Sequence, residues 1–160
     1  MKYYLIAEDD INIFNENKKF LFKLIKEKKG LFYNIFSLYN KDKYLLFRYK
    51  YPTIFCFMNI KILYQNIERK VIINQKMCKI NLLYNSKIIK YKSIFSIFYK
   101  GDIFINDQKS ASYRLRYKKT VPIFSINIDA EYKDSFIPIL ILFLLKISNF
   151  NRGIMYSSDF

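Results

Sequence analysis

The side chains that could do chemistry in this sequence are few in kind. There is no His in the 160 residues, which removes the commonest general base and the commonest imidazole ligand for a metal. The two cysteines, Cys56 and Cys78, lack the C-x-x-C spacing of zinc and redox motifs, and each sits in an apolar run that suits a small buried hydrophobe. The nearest approaches to paired carboxylates are Asp9-Asp10 and Asp129 with Glu131. Each pair falls where a turn or a helix start favours acids. No Gly-rich phosphate loop, nucleophile elbow or paired-His motif is present. The residue types thus point away from an enzyme and call for no cofactor, no metal and no small-molecule substrate.

What the sequence offers instead is positive charge. The formal net charge is +15 and the pI near 9.7, values that suit a binder of nucleic acid or of an anionic membrane surface. Lys outnumbers Arg roughly five to one, and Lys, Asn, Ile, Tyr and Phe make up more than half of the chain. AT-rich coding produces the same bias without selection for binding, so the total alone does not decide between origins. Arrangement is more informative. Arg114, Arg116 and Lys118 alternate with Tyr113, Leu115 and Tyr117 in SYRLRYK, the period-two pattern of a strand with one wet face. With Lys119 in the following turn they form the best candidate face for phosphate groups, whether of lipid headgroups or of nucleic acid; the plain alternative is a solvated strand face. A second group, Lys23, Lys26, Lys28 and Lys29 around LIKEKKG, reads as a solubilising hairpin tip.

The elements that position these residues are mostly strands. Segments such as KYYLIA, KFLFKLIK, LFYNIFSLY, KYLLFRYK, TIFCFMNIKILY, KVIIN, KINLLY, KIIKY and SIFSIFY are rich in Ile, Phe and Tyr, as half-buried pleated surfaces require. Turn signals separate them at Glu8-Asp9-Asp10, Gly30, Asn40-Lys41-Asp42, Asn85-Ser86 and Lys100-Gly101. The spacing predicts an antiparallel meander. Asn106-Asp107 predicts a tight turn between Ile103–Ile105 and Ser110–Tyr117, since both residue types tolerate positive φ. In FSINID, Phe124, Ile126 and Ile128 alternate with Ser125, Asn127 and Asp129, a second half-buried strand. Pro52 and Pro122 fall at the beginnings of apolar segments, where a missing N–H does least harm.

The run FIPILILFLL, Phe136–Leu145 between Asp134 and Lys146, is too short for a bilayer span, which needs about 20 apolar residues. A buried strand competes with a buried helix here. Helix is favoured: Asp134 or Ser135 can serve as N-cap, Pro138 falls in the first turn, and Lys146 with Asn149, Asn151 and Gly153 supplies a C-terminal end. Such a helix, at about 135–149, has no polar face. The fold expected is therefore mainly β, an antiparallel meander closing as a β-barrel around one hydrophobic C-terminal helix, in a single domain over residues 1–160. Acidic residues interrupt MKYYLIAEDD before a signal-peptide core forms, which with the sparse cysteines suggests a reducing cytoplasmic setting.

The stretch from KGDIFINDQKSASYRLRYKK through PIFSINIDAEYKDSFIPILILFLLKISNF resembles the tubby C-terminal-like superfamily, which includes LURP-one-related and phospholipid-scramblase-like proteins. In that superfamily a late hairpin is followed by a strand, an acidic or polar turn and a buried helix. The resemblance implies a non-enzymatic module with an anionic membrane surface or a phosphoinositide as partner, peripheral at the membrane; no phosphoinositide site of the superfamily maps onto particular residues here. Nucleic acid is the alternative partner, through the net positive field. Partner-binding proteins of the immunity type also remain open, because flat interfaces leave no signature, and nothing sets an oligomeric state.

Overall fold

The computed structural model describes residues 1–53, 59–76, 79–91 and 100–154. Twelve strands make one antiparallel sheet: β1 (Lys2–Ala7), β2 (Ile11–Asn15), β3 (Phe20–Lys29), β4 (Tyr33–Asn40), β5 (Leu45–Pro52), β6 (Lys61–Gln65), β7 (Val71–Lys76), β8 (Lys79–Tyr84), β9 (Lys87–Tyr91), β10 (Lys100–Ile105), β11 (Gln108–Lys118) and β12 (Val121–Ile128). The order is β6-β5-β4-β3-β2-β1-β12-β11-β10-β9-β8-β7. Every neighbour but β1 and β12 is thus a neighbour in sequence. Pairing of Lys2 with Asn127 and of Ile6 with Ile123 brings the two ends of the meander together.

The barrel is nearly closed. Its remaining seam lies between β6 and β7, where side chains replace a backbone ladder: Gln65 Oε1 accepts from the Val71 N–H at 2.9 Å, and Gln75 Oε1 accepts from the Ile60 N–H at 2.9 Å. These bonds satisfy backbone donors that an open edge would leave exposed.

Short strands and tight turns let so many strands fit in so short a chain. Asn85-Ser86, Asn106-Asp107 and Lys119-Thr120 all have positive φ, as two-residue hairpin loops that match the strand twist require. Asn85, Asn106 and Asp107 are residue types suited to that region, and Ser86 is not. Nor are Lys119 and Thr120, and the β-branched Thr120 at φ 72 is held in a conformation that disfavours it. Lys100-Gly101, in contrast, is no turn: both residues open β10. Glycine is needed there because Gly101 pairs with Tyr113 across the ladder, and a Cβ would meet Tyr113 Oη at 2.6 Å. Pro52 is the last residue of β5, opposite Tyr33, and most of the apolar run that follows it lies outside the described residues.

A 3-10 turn (Ala130–Ser135) leads into α1 (Phe136–Ile154). Ile139, Leu140, Ile141, Leu142, Phe143, Leu144 and Leu145 are each no more than 1% exposed, so every face of these turns is covered. Inward strand residues such as Leu5, Ile13, Leu38, Phe47, Leu82, Ile103 and Phe124 form the same core. Phe136 stacks on Tyr3 with centroids 4.0 Å apart, and Phe143 meets Tyr113 and Phe124 at 5.0 and 5.3 Å. The helix runs past the expected end at residue 149, because Asn149, Asn151 and Gly153 disfavour helix by only about 1 kcal/mol or less each. Pro138 sits in its first turn, as expected. Cys56, Cys78 and the apolar segment 93–99 lie outside the described residues.

Candidate functional site

Strand β11 places the predicted face. Tyr113 and Leu115 are buried, whereas Arg114, Arg116 and Lys118 are exposed on the opposite side of the same strand. Tyr117 departs from the expected alternation at 47% exposure; it is the last inward-side position before the turn. Lys119 occupies that turn, next to Lys118. The structure therefore brings all four residues together on the outer wall near one end of the barrel.

Register adds a cation that sequence spacing could not assign. Lys100 on β10 lies directly opposite Arg114, so their side chains share the outer face. On the other flank Arg114, Arg116 and Lys118 face Ser125, Ile123 and Val121 of β12, none of them charged. Asp102 lies across from Ser112 on the same wall, but its carboxylate is held by Lys109 at 3.0 Å. Ion pairs among the described residues include Lys23–Asp10, Arg48–Glu27, Lys90–Asp107 and Lys109–Asp102. None involves Arg114, Arg116, Lys118, Lys119 or Lys100, so no carboxylate among the described residues is paired with them.

The second lysine group is dispersed. Lys23 pairs with Asp10 at 2.9 Å on the outer wall, while Lys26 lies over the ring of the core residue Phe36 and Lys28 over Tyr33. Of the acidic pairs, Asp10 holds Lys23, whereas Asp129 stands at the N-cap of the 3-10 turn without a side-chain cap hydrogen bond, its backbone N–H donating to the Ser110 carbonyl. Among the described residues no group of three His, Cys, Asp or Glu side chains could hold a metal ion.

Two polar clusters had no sequence signal. On the outer wall, Glu27 accepts from Tyr39 at 2.9 Å and pairs with Arg48 at 2.6 Å. Partial burial pushes the Glu27 carboxyl up, but its hydrogen bonds and the guanidinium outweigh this and hold it below the usual range. Inside the barrel, Lys146 donates to Tyr113 Oη at 2.6 Å and lies 4.2 Å from the centre of the Tyr91 ring. Burial lowers the Lys146 ammonium to about 8. Lys146 was expected to serve the C-terminal dipole; because α1 continues to Ile154, it is an interior helix residue instead. Tyr91 donates to the Leu142 carbonyl at 3.1 Å and Tyr49 bonds Ser148 Oγ at 2.6 Å, so three wall tyrosines tether one helix. Burial raises the Tyr91 and Tyr49 phenols, with neighbouring tyrosines adding to it.

Among the described residues no helix is long and apolar enough to cross a membrane. Comparison with protein-family models, with curated proteins and with solved structures found no match to this chain.

Proposed function

We propose that this chain is a non-enzymatic, cytoplasmic binding module of tubby-like architecture that attaches to anionic membrane surfaces through the outer wall of β10 and β11. The observation that carries the reading is the set of exposed cations at Arg114, Arg116, Lys118 and Lys119, joined by Lys100 and free of carboxylate partners among the described residues. Each basic group held near an anionic bilayer contributes about 1 kcal/mol, so the wall supplies roughly 4–5 kcal/mol before losses. The net charge of +15 adds a long-range attraction that salt screens within about 10 Å. The tubby-like part of the reading is supported by the helix enclosed in an antiparallel barrel and by the late hairpin that precedes it.

Co-sedimentation with vesicles tests the lipid reading. Binding should rise with the anionic fraction and fall with salt. Equal binding to neutral and anionic vesicles would refute it, and a salt-sensitive shift of labelled RNA or DNA without vesicle binding would transfer the same wall to nucleic acid.

A further inference from the structure

The outer wall of β7, β8 and β9 carries an exposed apolar row. Ile72 pairs with Leu83, and Leu83 pairs with Ile88. These three outward side chains lie side by side across successive strands. They are 58%, 38% and 48% exposed, whereas the residues beside them in sequence, Val71, Leu82 and Ile89, are at most 1% exposed. The exposed row therefore adds nothing to the core that those neighbours already build. Lys76 and Lys79 face each other further along the same wall, and Lys87 lies at the end of β9, at the position of opposite alternation to Ile88 and beside the Asn85-Ser86 turn. All three lysines are exposed.

We propose that this row enters the interfacial region of an anionic bilayer, with the lysines around it held at headgroup level. The inference rests on the anionic-membrane reading and adds to it a second contact and a depth. Three observations select the occupant. Glu68 is the one acidic residue between positions 61 and 91, and the neighbouring Asp107 carboxylate is held by Lys90 of β9 at 2.6 Å, while each of β6, β7, β8 and β9 bears Lys; an anionic surface complements that excess of positive charge, whereas a second copy of a +15 chain brings the same lysines against it. The row consists of aliphatic side chains on a convex barrel exterior. Protein hot spots use Trp, Tyr and Arg seated in pockets, but lipid chains yield around any apolar projection. Lysine suits the rim because its long stem packs along apolar surface while the ammonium stays in water.

The chain contains no Trp, so one introduced Trp reports its own surroundings. In Ile88→Trp, emission should shift to the blue on addition of phosphatidylcholine vesicles containing phosphatidylserine, and lipids brominated along the acyl chain should quench it. Phe14→Trp, on β2 across the barrel, should show neither change. In the full chain, replacing Ile72, Leu83 and Ile88 by Ser should weaken vesicle binding by about fivefold per residue. Vesicle binding with an unquenched Ile88→Trp would overturn insertion and leave the electrostatic reading intact. Absence of vesicle binding would overturn both. A wild-type dimer that the triple Ser variant dissolves in analytical ultracentrifugation would assign the row to a second copy and overturn the proposal.

Discussion

Replacing Lys146 by Met should make the pH dependence of stability diverge from that of the wild type. In the folded chain burial lowers this amine from 10.5 to about 8, so between those values the unfolded chain binds the proton more tightly. Stability then rises with pH through that window, because the desolvation penalty disappears as the folded amine becomes neutral. At about 1.4 kcal/mol per unit the full shift is worth about 3 kcal/mol. Roughly a third to a half of that is expected to survive, since Nζ keeps part of its hydration. Between about pH 7 and pH 9.5 the wild type should therefore gain about 1 kcal/mol over Lys146→Met, a side chain of similar length that does not titrate. At neutral pH the variant trades relief of the penalty against loss of the hydrogen bond to Tyr113 Oη, so the two proteins should agree within about 1 kcal/mol. The raised phenols of Tyr91 and Tyr49 act in the opposite sense. They remove stability only above about pH 10, where the unfolded chain's phenols begin to ionise, and they are common to both proteins. Urea midpoints by far-ultraviolet circular dichroism at a series of pH values measure the difference directly. Parallel midpoint curves for the two proteins would refute the placement of this ammonium in the barrel interior.

Further perturbations probe the wall. Gly101→Ala sets a Cβ 2.6 Å from Tyr113 Oη and should cost about 1–3 kcal/mol as overpacking; combining it with Tyr113→Leu should recover part of the loss in a double-mutant cycle, and strict additivity would count against the contact. Gln65→Ala removes the side-chain acceptor of the Val71 N–H, so hydrogen exchange at that amide should accelerate while remote amides keep their protection; an unchanged rate would mean that the seam is closed by other means. Thr120→Gly relieves a β-branched residue at positive φ and should stabilise the chain by about 1 kcal/mol; a lower urea midpoint would show that the Thr side chain earns its place in the turn.

The strands with one wet face were the most legible part of the sequence. Tyr113 and Leu115 against Arg114 and Arg116, and Phe124, Ile126 and Ile128 against Ser125 and Asn127, sort by burial as their alternation indicates. The helix was legible from the absence of a polar face, and the structure explains that absence by enclosure. Strand β2, Ile11–Asn15, left little trace because its Asn residues have low strand propensity and a run of five is short. Lys100-Gly101 read as a turn because glycine punctuates loops far more often than it makes room for a tyrosine ring on the next strand. For the candidate site, period two was enough to group Arg114, Arg116 and Lys118, but Lys100 and the Ile72–Leu83–Ile88 row depend on register between strands. Register emerges from pairing, not from any one segment. The tether of Lys146 to Tyr113 and Tyr91 joins residues far apart in the chain and is visible only once the barrel has closed.

The central claim, that the exposed cations on β10 and β11 face an anionic membrane, is tested most directly by reversing two of them. Arg114→Glu with Arg116→Glu should leave the free energy of unfolding in urea within about 0.5 kcal/mol of the wild type, since both side chains are exposed. The same variant should lose at least about tenfold in affinity for phosphatidylserine-containing vesicles at moderate salt. A folded double variant that sediments with those vesicles as well as the wild type does would contradict the account.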